Sequence, residues 1–450
     1  MKNKVKFIDL FAGIGGLRLG FEQAFMELGF ETECVLTSEI KPHAIKVLEN
    51  NFTHKNLVGD VREVNSDDIE DFDFLLAGFP CQAFSTAGKQ LGFLDTRGTL
   101  FFEVERILRD KQPYGFILEN VEGLIKHDLE KKGDKIGRTL NTILRSLENI
   151  GYEVTWQLLD SKDFGVAQSR KRVIIVGTHN VKINLNNFNV RTCIFNDIME
   201  RGLPTIESHF TRCLLSHYKP EQLYGKAIKD KRGGKNNIHS WDIELKGSVS
   251  KEQKEVLELL FKQRRQKHWA DKIGIKWMDG MPLTHEQIET FYSHPKLKEL
   301  LDDLVDKGYL KFEHPKGIVK IQNEDDTFRE CREPDLTKPK GYNIVAGKLS
   351  FEFTKIIDVN DITPTLVAMD VSKLGVVDDN KIRMLSIREG LRLFGYPEKY
   401  NMDILDSNEK SKAFDLLGNT VVVPVVKDVA IKVAEMYYKS IFNSVEVCNL

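Results

Sequence analysis

Through residue 178 the chain alternates two hydrophobic patterns. Short apolar or β-branched runs, "KVKFIDLFA", "ETECVLTSEI", "FDFLLAGFP", "YGFILENV", "YEVTWQLLD" and "RKRVIIVGT", read as strands. Between them, "GLRLGFEQAFMELG", "KPHAIKVLENNF", "FFEVERILRDKQP" and "IGRTLNTILRSLENIG" carry apolar residues at helical spacing, the first stopping at Gly29. This succession predicts an α/β fold: a doubly wound sheet with helices on both faces.

The rhythm breaks near residue 180 and returns with the apolar helix patterns "SIREGLRLFGYP" and "NTVVVPVVKDVAIKVAEMYYKSIF". The simplest organisation is one α/β domain over residues 1–179, an inserted mixed α/β region over 180–380, and a C-terminal segment, 381–450, folding back onto the first part. Within the insertion, "LTHEQIETFYSHPKLKELLDDLVDKGYLKFEH" from Leu283 reads as helix, turn, helix and strand. That order suggests a winged-helix element near 250–315, or a helical hairpin that only supports the insertion.

Charge sharpens the division. The formal net charge is only −2. Residues 1–80 hold 8 Lys+Arg against 14 Asp+Glu, whereas residues 226–276 hold 14 against 7. A basic middle region is the pattern of a polyanion-binding surface, with a solvated charged face as the bland alternative. No apolar run reaches membrane-spanning length, and the N-terminus reads as a first strand and not as a signal peptide. The six cysteines form no C-x-x-C pair and no zinc-like or disulfide spacing, so no metal is expected and a reducing cytoplasm fits.

The chemistry gathers where the strands end. "FIDLFAGIGG" runs from a strand into a glycine turn at Gly13 and Gly15, then into a helix. Such a turn admits a nucleotide-like ligand beside the helix N-terminus. Arg18 stands where the dinucleotide fingerprint needs its third glycine, which disfavours a nicotinamide or flavin cofactor. Glu39, closing the second strand, can take ribose hydroxyls, and Asp60 can accept from an adenine amino group. Cys81 follows Pro80 at a strand end and precedes a long polar, glycine-rich loop, a setting for an accessible nucleophile under a lid. Glu119 ends an apolar strand, where an unpartnered carboxylate is costly and a proton-donor role is favoured. Arg170 and Arg172 share a face if "QSRKR" is extended, one reaching a substrate oxygen and the other a phosphate.

These blocks resemble the DNA cytosine-5-methyltransferases of bacterial restriction-modification systems. "DLFAGIGG", "SEI", "GDV", "GFPCQ", "RGTLFFE", "ENV", "QSRKR", "RMLSIREGLRLFGYP" and "GNTVVVPV" follow one another in the family's order, across most of residues 5–178 and 383–426. The resemblance implies a Rossmann-like, S-adenosylmethionine-dependent methyltransferase domain with a target-recognition domain inserted into it. It implies S-adenosylmethionine as methyl donor, with S-adenosylhomocysteine released, and a cofactor site at Phe11, Gly13, Gly15, Glu39, Ile40, Asp60, Val61, Pro80, Leu100 and Asn419. Cys81 would attack carbon 6 of a flipped-out cytosine, Glu119 would serve ring N3, and Arg172, with Arg170 beside it, would hold the base carbonyl.

Ser85, Lys89 and Arg97 would close over the DNA, and Arg264 and Arg265 are expected to meet phosphates. The substrate is expected to be double-stranded DNA, the enzyme a monomer, and its functional companion a cognate restriction endonuclease. Two departures stand out: Thr420 where the family often has serine, and a long insertion in which only "TPTLVA", 363–368, is familiar. Two rival readings remain open, a transfer-RNA cytosine-5-methyltransferase of the same fold and a non-catalytic DNA-binding regulator. Phe79 before Pro80 and the size of the insertion weigh against the first, and the complete set of Cys81, Glu119 and Arg172 weighs against the second.

Overall fold

The structure is a computed structural model that describes residues 4–447 except 81–99, 130, 132, 180, 231–233, 235, 323–327, 346–350, 369–370 and 406–408. Two compact units emerge, one of residues 1–201, 359–372 and 385–450, the other of 202–358 and 373–384.

The first unit is built on β1 (Lys4–Leu10), α1 (Gly16–Glu27), β2 (Glu31–Ser38), α2 (Pro42–Asn51), β3 (Leu57–Val58), β4 (Phe74–Ala77), α3 (Leu100–Lys111), β5 (Gly115–Val121), α4 (Arg138–Asn149), β6 (Glu153–Asp160) and β7 (Lys171–Thr178). The strands form one seven-stranded sheet in the order β3-β2-β1-β4-β5-β7-β6. β3, β2, β1, β4 and β5 are parallel, so the ends of β1, β2, β4 and β5 open on one edge. β7 is antiparallel to both neighbours, because residues 161–170 return the chain directly from β6. This reversal brings the start of β7 to the edge where the parallel strands finish.

The two faces of the sheet explain the sequence period. Ile8, Leu10, Leu75, Ala77, Leu118, Val173 and Ile175 pack with Val104, Ile107 and Leu108 of α3 and Leu140, Ile143 and Leu147 of α4. On the other face Phe7 and Phe74 meet Phe21 and Phe25 of α1, with ring centroids 4.8–5.4 Å apart. The long helix Val423–Val447 closes this face, its Tyr437 ring 5.2 Å from Phe74. Gly20 makes the approach of that helix to α1 feasible: a Cβ there would lie 2.7 Å from the Val426 side chain and 2.8 Å from the Val423 carbonyl.

The unit boundaries differ from divisions at 180 and 380, and the hydrogen bonds give the reason. Thr363 N–H donates to Ala167 O (2.8 Å) and Ser169 N–H to Thr363 O (2.9 Å). Asn196 N–H donates to Val359 O, and Arg191 pairs with Asp428. Residues 181–201 and 359–368 are thereby stitched to the first unit.

The described residues of the second unit form two cores. One lies on a five-stranded sheet of Lys381–Met384, Leu374–Asp378, Lys355–Ile356, Ala227–Ile228 and Asn237–Ile238, and includes Phe210, Leu214, Phe351, Phe353 and Ile382. The other gathers Trp241, Leu257, Leu260, Trp269, Leu283, Ile288, Leu301, Leu304 and Tyr342. Its chain order is helix Lys251–Gln263, helix Lys267–Ile273, helix His285–Glu289, helix Leu297–Asp306, strand Leu310–Glu313, hairpin Lys316–Gln322/Phe328–Pro334 and strand Gly341–Ile344.

Gly20→Val is expected to force α1 and helix Val423–Val447 apart, since the carbonyl of Val423 cannot yield as a flexible side chain would. Overpacking of this kind costs about 1–3 kcal/mol, which urea unfolding of the full chain will show as a lower midpoint.

Candidate active site

The turn after β1 takes backbone conformations that few side chains favour. Phe11 (φ 56°), Gly13 (φ 57°) and Gly15 (φ 75°) are all left-handed. A Cβ on Gly15 would strike the Phe52 ring at 2.5 Å, whereas Gly13 has open space where its Cβ would be. The buried carboxylate of Glu39 fixes the turn, Oε2 accepting from Gly13 N–H at 2.7 Å and Oε1 from Ile40 and Lys41 N–H at 2.9 and 2.8 Å. A carboxylate has about four acceptor positions, so Glu39 keeps capacity for a further donor. Ile40 beside it is 68% exposed, a large apolar side chain at the mouth of the turn.

C-terminal residues brace the turn from the far side. Tyr400 O–H donates to Ile14 O at 2.6 Å, and the Tyr396 and Thr420 hydroxyls share a 2.6 Å hydrogen bond. These groups leave no room for a side chain at Gly16, whose Cβ would lie 2.7 Å from Val421 and 2.8 Å from the Tyr396 oxygen.

Along the same edge, Glu119 near the end of β5 and Arg172 at the start of β7 form an ion pair, Nε to Oε1 2.8 Å. The antiparallel register pairs Val121 with Arg172 and Glu119 with Ile174, which sets the two side chains within reach. A Cβ on Gly78, just past β4, would lie 3.9 Å from Glu119 Oε2. Buried Asn120 donates from Nδ2 to Phe79 O at 3.2 Å and so ties β5 to the backbone that leads into Pro80.

The C-5 cytosine-specific DNA methylase family model matches residues 5–435. The chain belongs to that family. It is 55% identical over 427 residues to the Type II methyltransferase M.NlaIV of Neisseria lactamica, covering 95% of this chain and 98% of that one. It is 40% identical over 473 residues to M.BanI of Aneurinibacillus aneurinilyticus, covering 99% and 100%. Among solved structures, the Entamoeba histolytica methyltransferase EhMeth shares the fold, with a TM-score of 0.51 at 14% identity over 96% of this chain and 99% of that one. The protein is thus a DNA cytosine-5-methyltransferase with a Rossmann-like methyltransferase fold.

The methylase places its other candidate residues unevenly. Val61 is buried and Leu100 packs against the core below it. Asp60 caps its own 3-10 turn, and both its oxygens accept from Arg62 Nε at 3.0 Å, which holds the carboxyl below its usual range. Asn419 ends helix Lys410–Asn419 and donates to Asp415 O at 2.8 Å, next to the Thr420 that braces the turn. Cys81, Ser85, Lys89 and Arg97 lie outside the described residues. Among the described cysteines, burial pushes the Cys34 thiol up to about 12, which makes it inert as a nucleophile.

Two arginine assignments are corrected. Arg170 does not share a substrate face with Arg172, because β7 starts only at Lys171. Its guanidinium is buried and donates to the carbonyls of Leu366 (2.9 Å), Gly418 (3.1 Å) and Thr420 (2.9 Å), so it clamps three chain segments together and is not catalytic. Arg264 is 2% exposed and donates to Asn343 Oδ1 at 2.7 Å, so it belongs to a core and not to a phosphate-binding surface. Arg265 pairs with Asp279 at 2.9 Å and lies over the Phe261 ring.

The alternation of "FIDLF" conceals one further group. Asp9 is fully buried on the α1 face of the sheet, and neither carboxyl oxygen has a hydrogen-bond partner among the described residues. Burial raises its pKa to about 8; Arg18 pulls it down, while Glu22 and Glu39 push it up. A polar residue inside an otherwise apolar strand was the only signal for it in the sequence. No cluster of metal-ligating side chains occurs among the described residues, and no described helix is long and apolar enough to cross a membrane.

Asp9 carries a proton in the folded protein up to about pH 8 and loses it near 3.8 when unfolded. Folded chains therefore hold one extra proton across that window, and stability falls as pH rises through it, by up to about 1.4 kcal/mol per pH unit. Asp9→Asn is expected to flatten the fall, measured as melting temperature against pH from 5 to 8.

Proposed function

We propose that this methylase transfers a methyl group from S-adenosylmethionine to carbon 5 of a cytosine swung out of duplex DNA, through a transient bond from Cys81. The observation that carries the reading is the Glu119–Arg172 pair beside Gly78, on the backbone that runs through Pro80 into Cys81.

The glycine turn suits S-adenosylmethionine. Open space beside Gly13, spare acceptor capacity on Glu39 and the exposed Ile40 match a close backbone approach, ribose hydroxyls and an adenine face. Phe11, Val61, Pro80, Leu100 and Asn419 would complete that site, with Asp60 reaching the adenine amino group once Arg62 moves aside. S-adenosylmethionine supplies an electrophilic sulfonium methyl.

The chain's residues supply the rest. Cytosine carbon 5 is a poor nucleophile until the Cys81 thiolate adds to carbon 6. Electron density then moves to ring N3, where Glu119 provides the proton, and Arg172 orients the base through its carbonyl oxygen. Carbon 5 takes the methyl group, which would leave S-adenosylhomocysteine holding the electron pair of the broken bond; carbon 5 then gives its proton to solvent, ring N3 returns its proton to Glu119, and elimination returns the electron pair to Cys81 sulfur. A carbon inside the stack is out of reach of a loop thiolate, so the base must be extruded. Ser85, Lys89 and Arg97 would then close over the DNA. The Type II methyltransferase names of the relatives support a role for this methylation in protecting host DNA from a cognate endonuclease.

Cys81→Ala is expected to abolish transfer of a tritiated methyl group to DNA while S-adenosylmethionine binding persists in calorimetry. Glu119→Gln should slow transfer about 10²–10⁴-fold. Arg172→Ala should lose turnover with a smaller fall in melting temperature than Arg170→Ala, whose buried guanidinium holds three carbonyls. A duplex carrying 5-fluorocytosine at the target, located by bisulfite sequencing, should become covalently trapped on the wild-type chain. Full transfer by Cys81→Ala would remove the mechanism.

A further inference from the structure

The second core of the inserted unit has the connectivity of a winged helix. Strand Gly341–Ile344 pairs antiparallel with Leu310–Glu313 on one side, and Tyr342 bridges Leu283 on the other. Helices His285–Glu289 and Leu297–Asp306 follow Leu283, and the hairpin Lys316–Gln322/Phe328–Pro334 projects between the two paired strands. In helix-turn-helix modules the second helix of the pair enters the major groove.

Here that helix has the wrong charge. Leu297, Leu301 and Leu304 turn inward, leaving Glu299, Asp302 and Asp306 toward solvent. Lys298 Nζ pairs with Asp302 at 2.8 Å, and Lys296 Nζ lies 3.6 Å from Glu299, an exposed pair as loose as that of Lys276 with Glu330. The Lys298 ammonium and the Tyr342 hydroxyl hold Asp302 below the usual carboxylate range, so it stays ionised. Pressing this face into a groove sets carboxylates against phosphates.

One face of the hairpin strands offers the opposite, although segment 316–334 as a whole holds four Lys+Arg against five Asp+Glu. Its register pairs Ile318 with Arg332 and Lys320 with Glu330, which puts Lys316, Lys320 and Arg332 on one face with Glu330. Lys276 joins this face, 3.9 Å from Glu330. Arg332 donates to the carbonyls of Lys276 (3.3 Å) and Trp277 (2.9 Å). The Trp277 indole N–H donates to Arg265 O at 2.9 Å, yet the side chain is 43% exposed, while Trp241 and Trp269 are 1% and 2% exposed. An aromatic ring with its polar atom satisfied internally and its body pinned loses little freedom on stacking.

We infer that the inserted module grips duplex DNA through this hairpin face, with Lys276 and Lys320 on phosphates and Trp277 packed against sugar or base, and that helix Leu297–Asp306 stays out of the groove. The inference rests on the reading of duplex DNA as substrate and adds which surface holds it.

The test is fluorescence anisotropy of the full chain with a fluorescein-labelled duplex, across a salt series. The Lys276→Ala/Lys320→Ala double variant should reduce the slope of log affinity against log salt by about 2, at about 0.9 per phosphate contact. Trp277→Ala should weaken binding about 5- to 100-fold with the slope unchanged, as loss of a stacking platform does. Lys298→Ala, on the helix, should leave both unchanged. Thermal melts establish that each variant is folded; should Trp277→Ala unfold, the two exposed lysines still decide. An unaltered slope in the double variant, or a flattened one in Lys298→Ala, overturns the inference. Methyl transfer by the parent chain to the same duplex is scored alongside. Transfer with an unaltered slope rejects the docking face alone, and absence of transfer rejects the substrate reading.

Discussion

The antiparallel pairing of β5 with β7 is the constraint on which the candidate active edge depends. A purely parallel sheet would send the start of β7 to the opposite edge, about seven residues of strand or over 20 Å from the end of β5. Because residues 161–170 fold the chain straight back, Arg172 arrives beside Glu119 and their ion pair forms at 2.8 Å. The parallel strands contribute the other parts, the glycine turn after β1, Glu39 after β2 and the approach to Pro80 after β4. One edge thereby collects a glycine turn and a charged pair from segments more than 150 residues apart.

That edge is not self-supporting. The turn after β1 holds three left-handed residues, a costly arrangement that persists only where surroundings over-determine it. Glu39 fixes it from one side and Tyr396, Tyr400 and Thr420 from the other. Buried Arg170 joins residues 366, 418 and 420 to the entry of β7, and Gln168 holds Leu366 N–H and Leu393 O. The C-terminal segment is therefore part of the active edge's foundation, although it lies over 200 residues from the turn it braces.

Much of this was legible in the residues. The strand and helix patterns up to residue 178 match β1, β2, β4 to β7 and α1 to α4, because strands buried on both faces and amphipathic helices leave different hydrophobic periods, while the two-residue β3 is too short to show one. Glu119, Glu39 and the glycine turn were visible as polar or glycine residues interrupting apolar strands at their ends. Helix Lys410–Asn419 escaped notice because its apolar residues all fall within residues 413–417, too short a run to display a helical period. Arg170 and Arg264 were misread for a common reason: a guanidinium looks solvent-seeking in a sequence, and only the fold shows carbonyls and an amide closing around it.

The sequence by itself determined the class of sheet, the family and the chemistry gathered at strand ends, since each depends on short-range pattern and residue type. Tertiary structure alone decided which arginine pairs with Glu119, where the two units divide, that Asp9 sits buried with no hydrogen-bond partner among the described residues, and which hairpin residues share a face. Those outcomes depend on pairing between distant segments and on desolvation, and neither quantity is carried by any local stretch of residues.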